Sequence, residues 1–395
     1  MIGFKALYCC LVFGIVTRGP SFLDGYAAMV RANWFKGEWE NEARGDYEKY
    51  FATWDAEHYL YLVEFGYSDD APSCAFNPAW PYLIRWFSNL SGLDFVPSGL
   101  LLANFCSISG CLLFFLNSYC RFGVATAKWS LLLLLVFPGS LFFQFIYSES
   151  LFFVCLMTVW FGLERRFYRL ALCAAFLLPL IRGVGLFCAL PLLWHAIQVS
   201  GWAHRLLKCR NHGVPEERPG EDAKTEKKWM GWPFLVGFAP MLGWTIYLML
   251  MRTWTGNAFE GVEAQEHWKS VHSIGNLSNL PKFIVGFFDI ESVHAYQGSL
   301  LDRIGFLGLL VVLPVIRRFG WDLVIWTFAL GILPAMSGTF VSYLRFESVA
   351  FPVFVGAGFL LNKRADCFVQ YYILGVCFLG QTILLWQFLT YRWAG

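Results

Sequence analysis

From residue 97 to residue 389 the chain returns again and again to apolar runs of about membrane-spanning length, and no other feature constrains its fold as much. The runs are 97 to 117, 125 to 146, 149 to 163, 167 to 180, 184 to 200, 232 to 251, 299 to 316, 321 to 340, 345 to 361 and 367 to 389. A helix needs about 20 mainly apolar residues to cross roughly 30 Å of hydrocarbon. Inside hydrocarbon every backbone N–H and C=O must find a partner within the protein, so an open chain crosses as helix. One further run, Phe4 to Val16, is short and carries Lys5. No small-residue cleavage pattern stands before Arg18, so it reads as an uncleaved first span. The expectation is an all-α polytopic membrane protein, one integral membrane domain over residues 1–395 with about eleven transmembrane helices. Composition points the same way, at 57% hydrophobic and 15% charged residues. A net charge of +2, without a like-charge block, excludes nucleic acid as a bulk electrostatic partner.

Basic residues collect in short cytoplasmic loops. With the N-terminus inside, the inner loops carry Arg121 and Lys128, then Arg165, Arg166 and Arg169, then the cluster Arg205 to Lys228, then Arg317 and Arg318, then Lys363 and Arg364. The opposite side holds two long loops, residues 18–96 and 252–298, and the first is acidic, with twelve Asp or Glu against six Lys or Arg. Residues 201–231, polar and of mixed charge, read as a cytoplasmic linker between two membrane halves. Of twelve cysteines only Cys74 falls in an exoplasmic loop, which leaves no disulfide framework. No Cys-x-x-Cys or His-x-x-x-His spacing occurs, so neither a metal nor another cofactor is expected. No internal repeat at a fixed period is visible, which weighs against a transporter built from inverted halves.

An exoplasmic loop as long as 18–96 is expected to have structure of its own. Within it, 46-DYEKYFATWDAEHYLYLVEFGY-67 follows a helical period, with Tyr47, Tyr50, Phe51, Trp54, His58, Tyr59, Leu62 and Val63 on one broad face. The aromatic content suits an interfacial helix at headgroup level. Asp55 and Tyr59 lie one turn apart, whereas Glu57, two residues from Asp55, points elsewhere on the helix.

Polar residues also interrupt apolar sequence in 75-AFNPAWPYLIRW-86, 147-YSES-150, 182-RGVG-185, 257-NAFEGVEAQEHW-268 and 342-SYLRFESVAFP-352. Arg182 and Arg345 stand at or inside the outer ends of spans, and an arginine at bilayer depth costs about 2.5 to 3.5 kcal/mol, so such residues keep partners. Glu149 opens an apolar run, where a carboxylate complements the helix dipole. Gln265 and Trp268 are one helical turn apart, a spacing that suits holding a sugar by hydrogen bond and stacking. The sequons 89-NLS-91 and 276-NLS-278 lie on the exoplasmic side and matter in a eukaryotic secretory compartment.

Taken in order, W-D-A-E-H-Y-L with E-F-G-Y at 64–67, A-F-N-P-A-W-P-Y-L-I-R, Y-S-E-S-L-F at 147–152, I-R-G-V-G at 181–185, N-A-F-x5-Q-x2-W at 257–268 and L-R-F-E-S-V-A-F-P at 344–352 resemble the PIG-V mannosyltransferases. These belong to the multi-spanning GT-C glycosyltransferases, and the resemblance runs in order along nearly the whole chain. It implies a GT-C fold with a structured, helical first exoplasmic loop. It also implies transfer of mannose from a polyprenyl-phosphate donor, dolichyl phosphate mannose in eukaryotes, to a lipid-linked glycan on the exoplasmic side, as in GPI-anchor biosynthesis. The family's aspartate falls on Asp55. Asn77 stands where the family turn more often carries a second phenylalanine, and R-G-V-G replaces an R-x-N-G pattern. The chain's length and short loops are closer to bacterial relatives, which implies a bacterial cell membrane, or the endoplasmic reticulum membrane in a eukaryote.

Chemistry gives the roles independent support. Glycosidases use two carboxyl groups because the leaving sugar oxygen must be protonated. A phosphate leaves as a stable anion, so the need is for one base, within about 2.6 to 3.2 Å of the acceptor's proton. Asp55 is the candidate base. Arg182 and Arg345 are candidates for the donor phosphate, through bidentate geometry that lysine lacks. Glu57, His58, Asn77, Glu149, Gln265 and Trp268 are secondary candidates for sugar or acceptor contacts. The rival reading is a transporter or flippase for a lipid-linked sugar, which is expected to carry polar residues through the depth of several spans.

Overall fold

A computed structural model describes residues 2–18, 24–33, 45–200, 231–268, 278, 280–336 and 339–395. The linker 201–231 lies outside the described residues apart from Gly231, as do Asn276 and Leu277 of the second sequon. Among the described residues the regular structure is helical, with a single isolated bridge between Ser292 and Ser299.

Each of the eleven apolar runs carries helix. In chain order the helices are α1 (Ile2–Val16), α2 (Asp24–Ala32), α3 (Asp46–Lys49), α4 (Asp55–Glu64), α5 (Ala79–Ser91), α6 (Phe95–Phe122), α7 (Val124–Val136), α8 (Glu149–Glu164), α9 (Tyr168–Ile181) and α10 (Ala189–Val199). They continue as α11 (Gly231–Thr255), α12 (Glu260–Glu263), α13 (Leu280–Phe288), α14 (Leu300–Phe319), α15 (Trp321–Thr327), α16 (Tyr343–Val349), α17 (Phe351–Arg364) and α18 (Cys367–Leu389). Helices α6, α11 and α18 are each long and apolar enough to cross a membrane unbroken. Large apolar side chains stand exposed along them, among them Phe105, Leu242 and Phe368, as a lipid-facing surface requires. The chain is a multi-pass membrane protein.

Two runs expected as continuous spans are bent. The helix of 124–136 turns by 78° into a 3-10 segment over Pro138–Gln144, and α16 meets α17 at 76°. Proline explains the first: Pro138 pushes Phe137 into extended backbone, and the helix cannot pass. At the second, Ala350 leaves helical geometry and Pro352 sits in the first turn of α17, where its missing N–H costs nothing. Tight helix contacts rest on small residues: a Cβ added at Gly243 of α11 would lie 2.1 Å from the Phe176 carbonyl oxygen of α9.

The first loop departs from expectation. Instead of one interfacial helix over 46–67, α3 ends at Lys49, and a fresh helix, α4, begins at Asp55. Trp54 between them takes φ +54°, a rare conformation for a bulky residue. Eight of the ten α4 residues are buried, Asp55 to Leu60 and then Leu62 and Val63. The helix packs as core, in one cluster with Trp80, Ile84, Phe145 and Tyr147. Aromatic residues on both sides of the break continue the apolar period, which is why the sequence reads through it.

Candidate active site

The turn at Trp54 aims Asp55. Its carbonyl accepts from Asn33 Nδ2 at 2.7 Å, and its indole Nε1 donates to the Arg392 carbonyl at 2.9 Å. The preceding Thr53 carbonyl accepts from Tyr147 O–H at 3.0 Å. So held, α4 opens with the Asp55 carboxylate 2.6 Å from Arg345 Nη1.

Arg345 comes from α16, the short arm of the bend. Its Nε donates to Glu149 Oε1 at 2.7 Å, its Nη2 lies 2.7 Å from the same oxygen, and its guanidinium lies over the rings of Phe142 and Tyr147, 4.8 and 4.7 Å from their centroids. Glu149 is the first residue of α8, where the helix dipole favours a negative charge. The same oxygen meets Arg182 Nη1 at 2.6 Å. Arg182 stands where α9 ends and the backbone turns extended, φ −150° and ψ 140°, and it also donates to Ser148 Oγ at 3.3 Å. Ser148 Oγ in turn accepts from Tyr59 O–H at 2.7 Å.

The result is a line of alternating charge, Asp55, Arg345, Glu149, Arg182, in which Glu149 is fully buried and Arg182 is the most open at 11% side-chain exposure. Burial raises the Asp55 carboxyl above its ordinary range, and the Arg345 guanidinium opposes that shift without cancelling it.

Above the line opens a cavity of about 590 Å³. Asp55, Arg182 and Arg345 form its charged floor, Asn77 and Gln265 border it, and Trp268 stands in its wall with other aromatic and aliphatic side chains. Six of the nine residues singled out from sequence therefore meet in one space. Two bordering residues are tied to backbone: Asn77 Nδ2 donates to the Pro179 carbonyl at 2.8 Å, near the broken end of α9, and Gln265 Nε2 to the Ala75 carbonyl at 2.7 Å. A helix end leaves such carbonyls without a partner of their own.

Three candidates stand off the cavity surface. Glu57 is fully buried and accepts from Tyr26 O–H, on the side away from Asp55. His58 sits behind the wall, its Nδ1 2.9 Å from Ser73 Oγ and its ring stacked 4.9 Å from Phe76 with Trp268 edge-on. Burial lowers its pKa to about 3, so the imidazole is neutral. Glu149 lies beneath the floor, expected as a sugar contact and found as the bridge between two arginines. Trp393 also borders the cavity, and nothing in 391-YRWAG-395 signals it. Among the described residues no group of three or more His, Cys, Asp or Glu side chains is placed to hold a metal ion.

No family model matches the chain, and no curated protein matches it. Among solved structures it is similar to the oligosaccharyltransferase of Archaeoglobus fulgidus in its apo form, at 14% identity, with 88% of this chain and 52% of that one covered and a TM-score of 0.48. The same enzyme, AglB, in complex with an inhibitory peptide and a dolichol-phosphate matches at 12% identity over 87% of this chain and 52% of that one, with a TM-score of 0.44. The chain spans about half the length of these proteins.

Proposed function

We propose that this protein is a membrane glycosyltransferase of GT-C type, PIG-V-like, that moves mannose from a polyprenyl-phosphate donor to a hydroxyl of a lipid-linked glycan. The observation that carries the reading is the buried Asp55–Arg345 pair, joined through Glu149 to Arg182, at the floor of a cavity with an apolar wall. The order of motifs that resembles the PIG-V family supports the sugar and the acceptor class.

In this mechanism Asp55 accepts the proton of the acceptor hydroxyl as its oxygen bonds to the anomeric carbon. The bond from that carbon to the phosphate oxygen breaks, and its electron pair leaves with the phosphate. Arg182 and Arg345 receive the added negative charge, in surroundings that strengthen such pairing. Attack opposite the leaving group inverts the anomeric centre. The leaving phosphate needs no proton, so one carboxylate serves. The apolar wall accommodates the first isoprene units of a donor arriving sideways from the bilayer. In the same reading the cavity opens on the exoplasmic side, with residues 18–96 and 252–298 forming its two loops, and the bacterial cell membrane is the compartment.

Purified Asp55→Asn protein tests this with radiolabelled polyprenyl-phosphate mannose and lipid-linked acceptor in liposomes. Expected is a loss of nearly all transfer with the thermal transition retained. Transfer at the unaltered rate removes Asp55 as base. Movement of labelled lipid between leaflets without any transfer replaces the enzyme with a flippase.

A further inference from the structure

The segment that follows α18 runs back into the molecule. Tyr391 stacks on Tyr50 with ring centroids 5.9 Å apart and meets Tyr26 edge-on at 5.6 Å. Arg392 offers its carbonyl to the Trp54 indole at 2.9 Å. Trp393 sets its ring edge-on to Trp54 at 5.1 Å and to Tyr296 at 4.8 Å, and borders the cavity beside Asp55. Gly395 offers its carbonyl to Arg345 Nη1 at 3.2 Å, the nitrogen that also serves Asp55. There is no room for a side chain there: a Cβ on Gly395 would lie 2.8 Å from the Phe142 ring and 3.3 Å from Arg345 Cδ.

One short segment thus touches Arg345 and, by separate contacts, Trp54, the residue from which Asp55 is presented. Its grip on Trp54 bears on the strained residue, φ +54°, from which the Asp55 helix starts. A conformation of that kind persists only where its surroundings over-determine it. The grip on Arg345 gives Nη1 a second acceptor, which stays in place when Asp55 becomes neutral by taking a proton.

We propose that residues 390–395 form a positioning element of the site, which keeps the carboxylate and the guanidinium in register through the catalytic cycle. Catalytic groups must be held within about 0.5 Å of their productive places. The segment acts by supplying two fixed points for that purpose, on residues 338 and 50 positions away in sequence. The proposal rests on the transfer reaction only for its activity readout.

The full chain is assayed with Trp393→Ala, Trp393→Phe and Gly395→Ala, and amide exchange is followed over Trp54–His58. Trp393→Ala is expected to lower kcat about 10-fold or more, with KM changed less, because misplaced reacting groups cost rate before they cost binding. Exchange over Trp54–His58 speeds up while the thermal midpoint stays within a few degrees. Trp393→Phe, which keeps a ring edge against Trp54, restores most of the rate. Gly395→Ala lowers kcat without changing exchange at Trp54. The proposal is overturned if Trp393→Ala turns over within about twofold of the unaltered chain, or if activity falls only in step with unfolding and Trp393→Phe restores nothing. An inert Asp55→Asn beside a fully active Trp393→Ala overturns this inference alone. An active Asp55→Asn removes Asp55 as base, and the absence of any transfer by the unaltered chain overturns the transfer reading.

Discussion

Among the described residues two arginines sit between two carboxylates, and only one of the two floors a cavity. Arg345 lies between Asp55 and Glu149 with all three side chains at 9% exposure or less. Arg121 lies between Glu164 and Asp322 at 2.9 and 2.7 Å, with side chains 23, 41 and 24% exposed. Glu149 and Glu164 are the first and last residues of α8, so the two sets are roughly 22 Å apart at 1.5 Å rise per residue. Their hydrogen bonds are of like length, yet water screens one set and not the other. Contact geometry alone does not separate a surface tie from a reactive centre. Burial, an adjoining cavity and a second cation do.

The contrast can be broken most sharply at Arg345. Arg345→Met leaves two buried carboxylates without their shared cation, and the loss expected is about 3–5 kcal/mol, together with all transfer activity. Thermal scanning in detergent and the transfer assay read both. Next comes Glu149→Gln, which keeps the shape and removes the charge that joins the arginines. Its kcat is expected to fall on the order of 10²-fold, the cost of a small misplacement, with the fold retained by thermal scanning.

The pH profile sharpens the comparison further. Burial raises Asp55, so the base form is lost as pH falls through a value above the ordinary carboxylate figure of about 4. The acid limb of kcat should therefore lie above that figure, and a limb at or below it contradicts the assignment. His58 gives a smaller, separate effect on stability. The folded imidazole stays neutral down to about 3, whereas an unfolded one takes up a proton below about 6.5. The unfolded chain binds more protons in that window, so stability contributed by neutral His58 is present above it and lost as pH falls through it. His58→Gln should flatten the fall in thermal midpoint between pH 7 and about 5. Smallest of all is Arg121→Ala, with a change under about 1 kcal/mol, as for other partly exposed pairs, and transfer unaffected.

What the sequence made legible follows from the range of the forces involved. The apolar runs foretold a helix at every expected span, because hydrocarbon selects on local composition. Arg182 and Arg345 stood out because a charge at or inside the end of such a run is costly, and Asp55 because the W-D motif of the family resemblance falls on it. Their pairing was not legible: Asp55 and Arg345 are 290 residues apart. Glu149 was visible as a helix-opening carboxylate, but its two arginines come from other helices, so its bridging place was hidden. The break at Trp54 was hidden too, since an unusual φ leaves no trace when aromatic residues continue the period on either side. Gly395 matters for a side chain it lacks, and only its neighbours reveal that.

The four alternating charges sum to zero. Dropping one member alone leaves an ion with one partner fewer where little solvates it, a loss felt by the site before the fold. Change here is therefore expected to be concerted: across descendants of this chain, the acidic and basic positions should be kept together or exchanged together, while the aromatic wall above them varies one residue at a time.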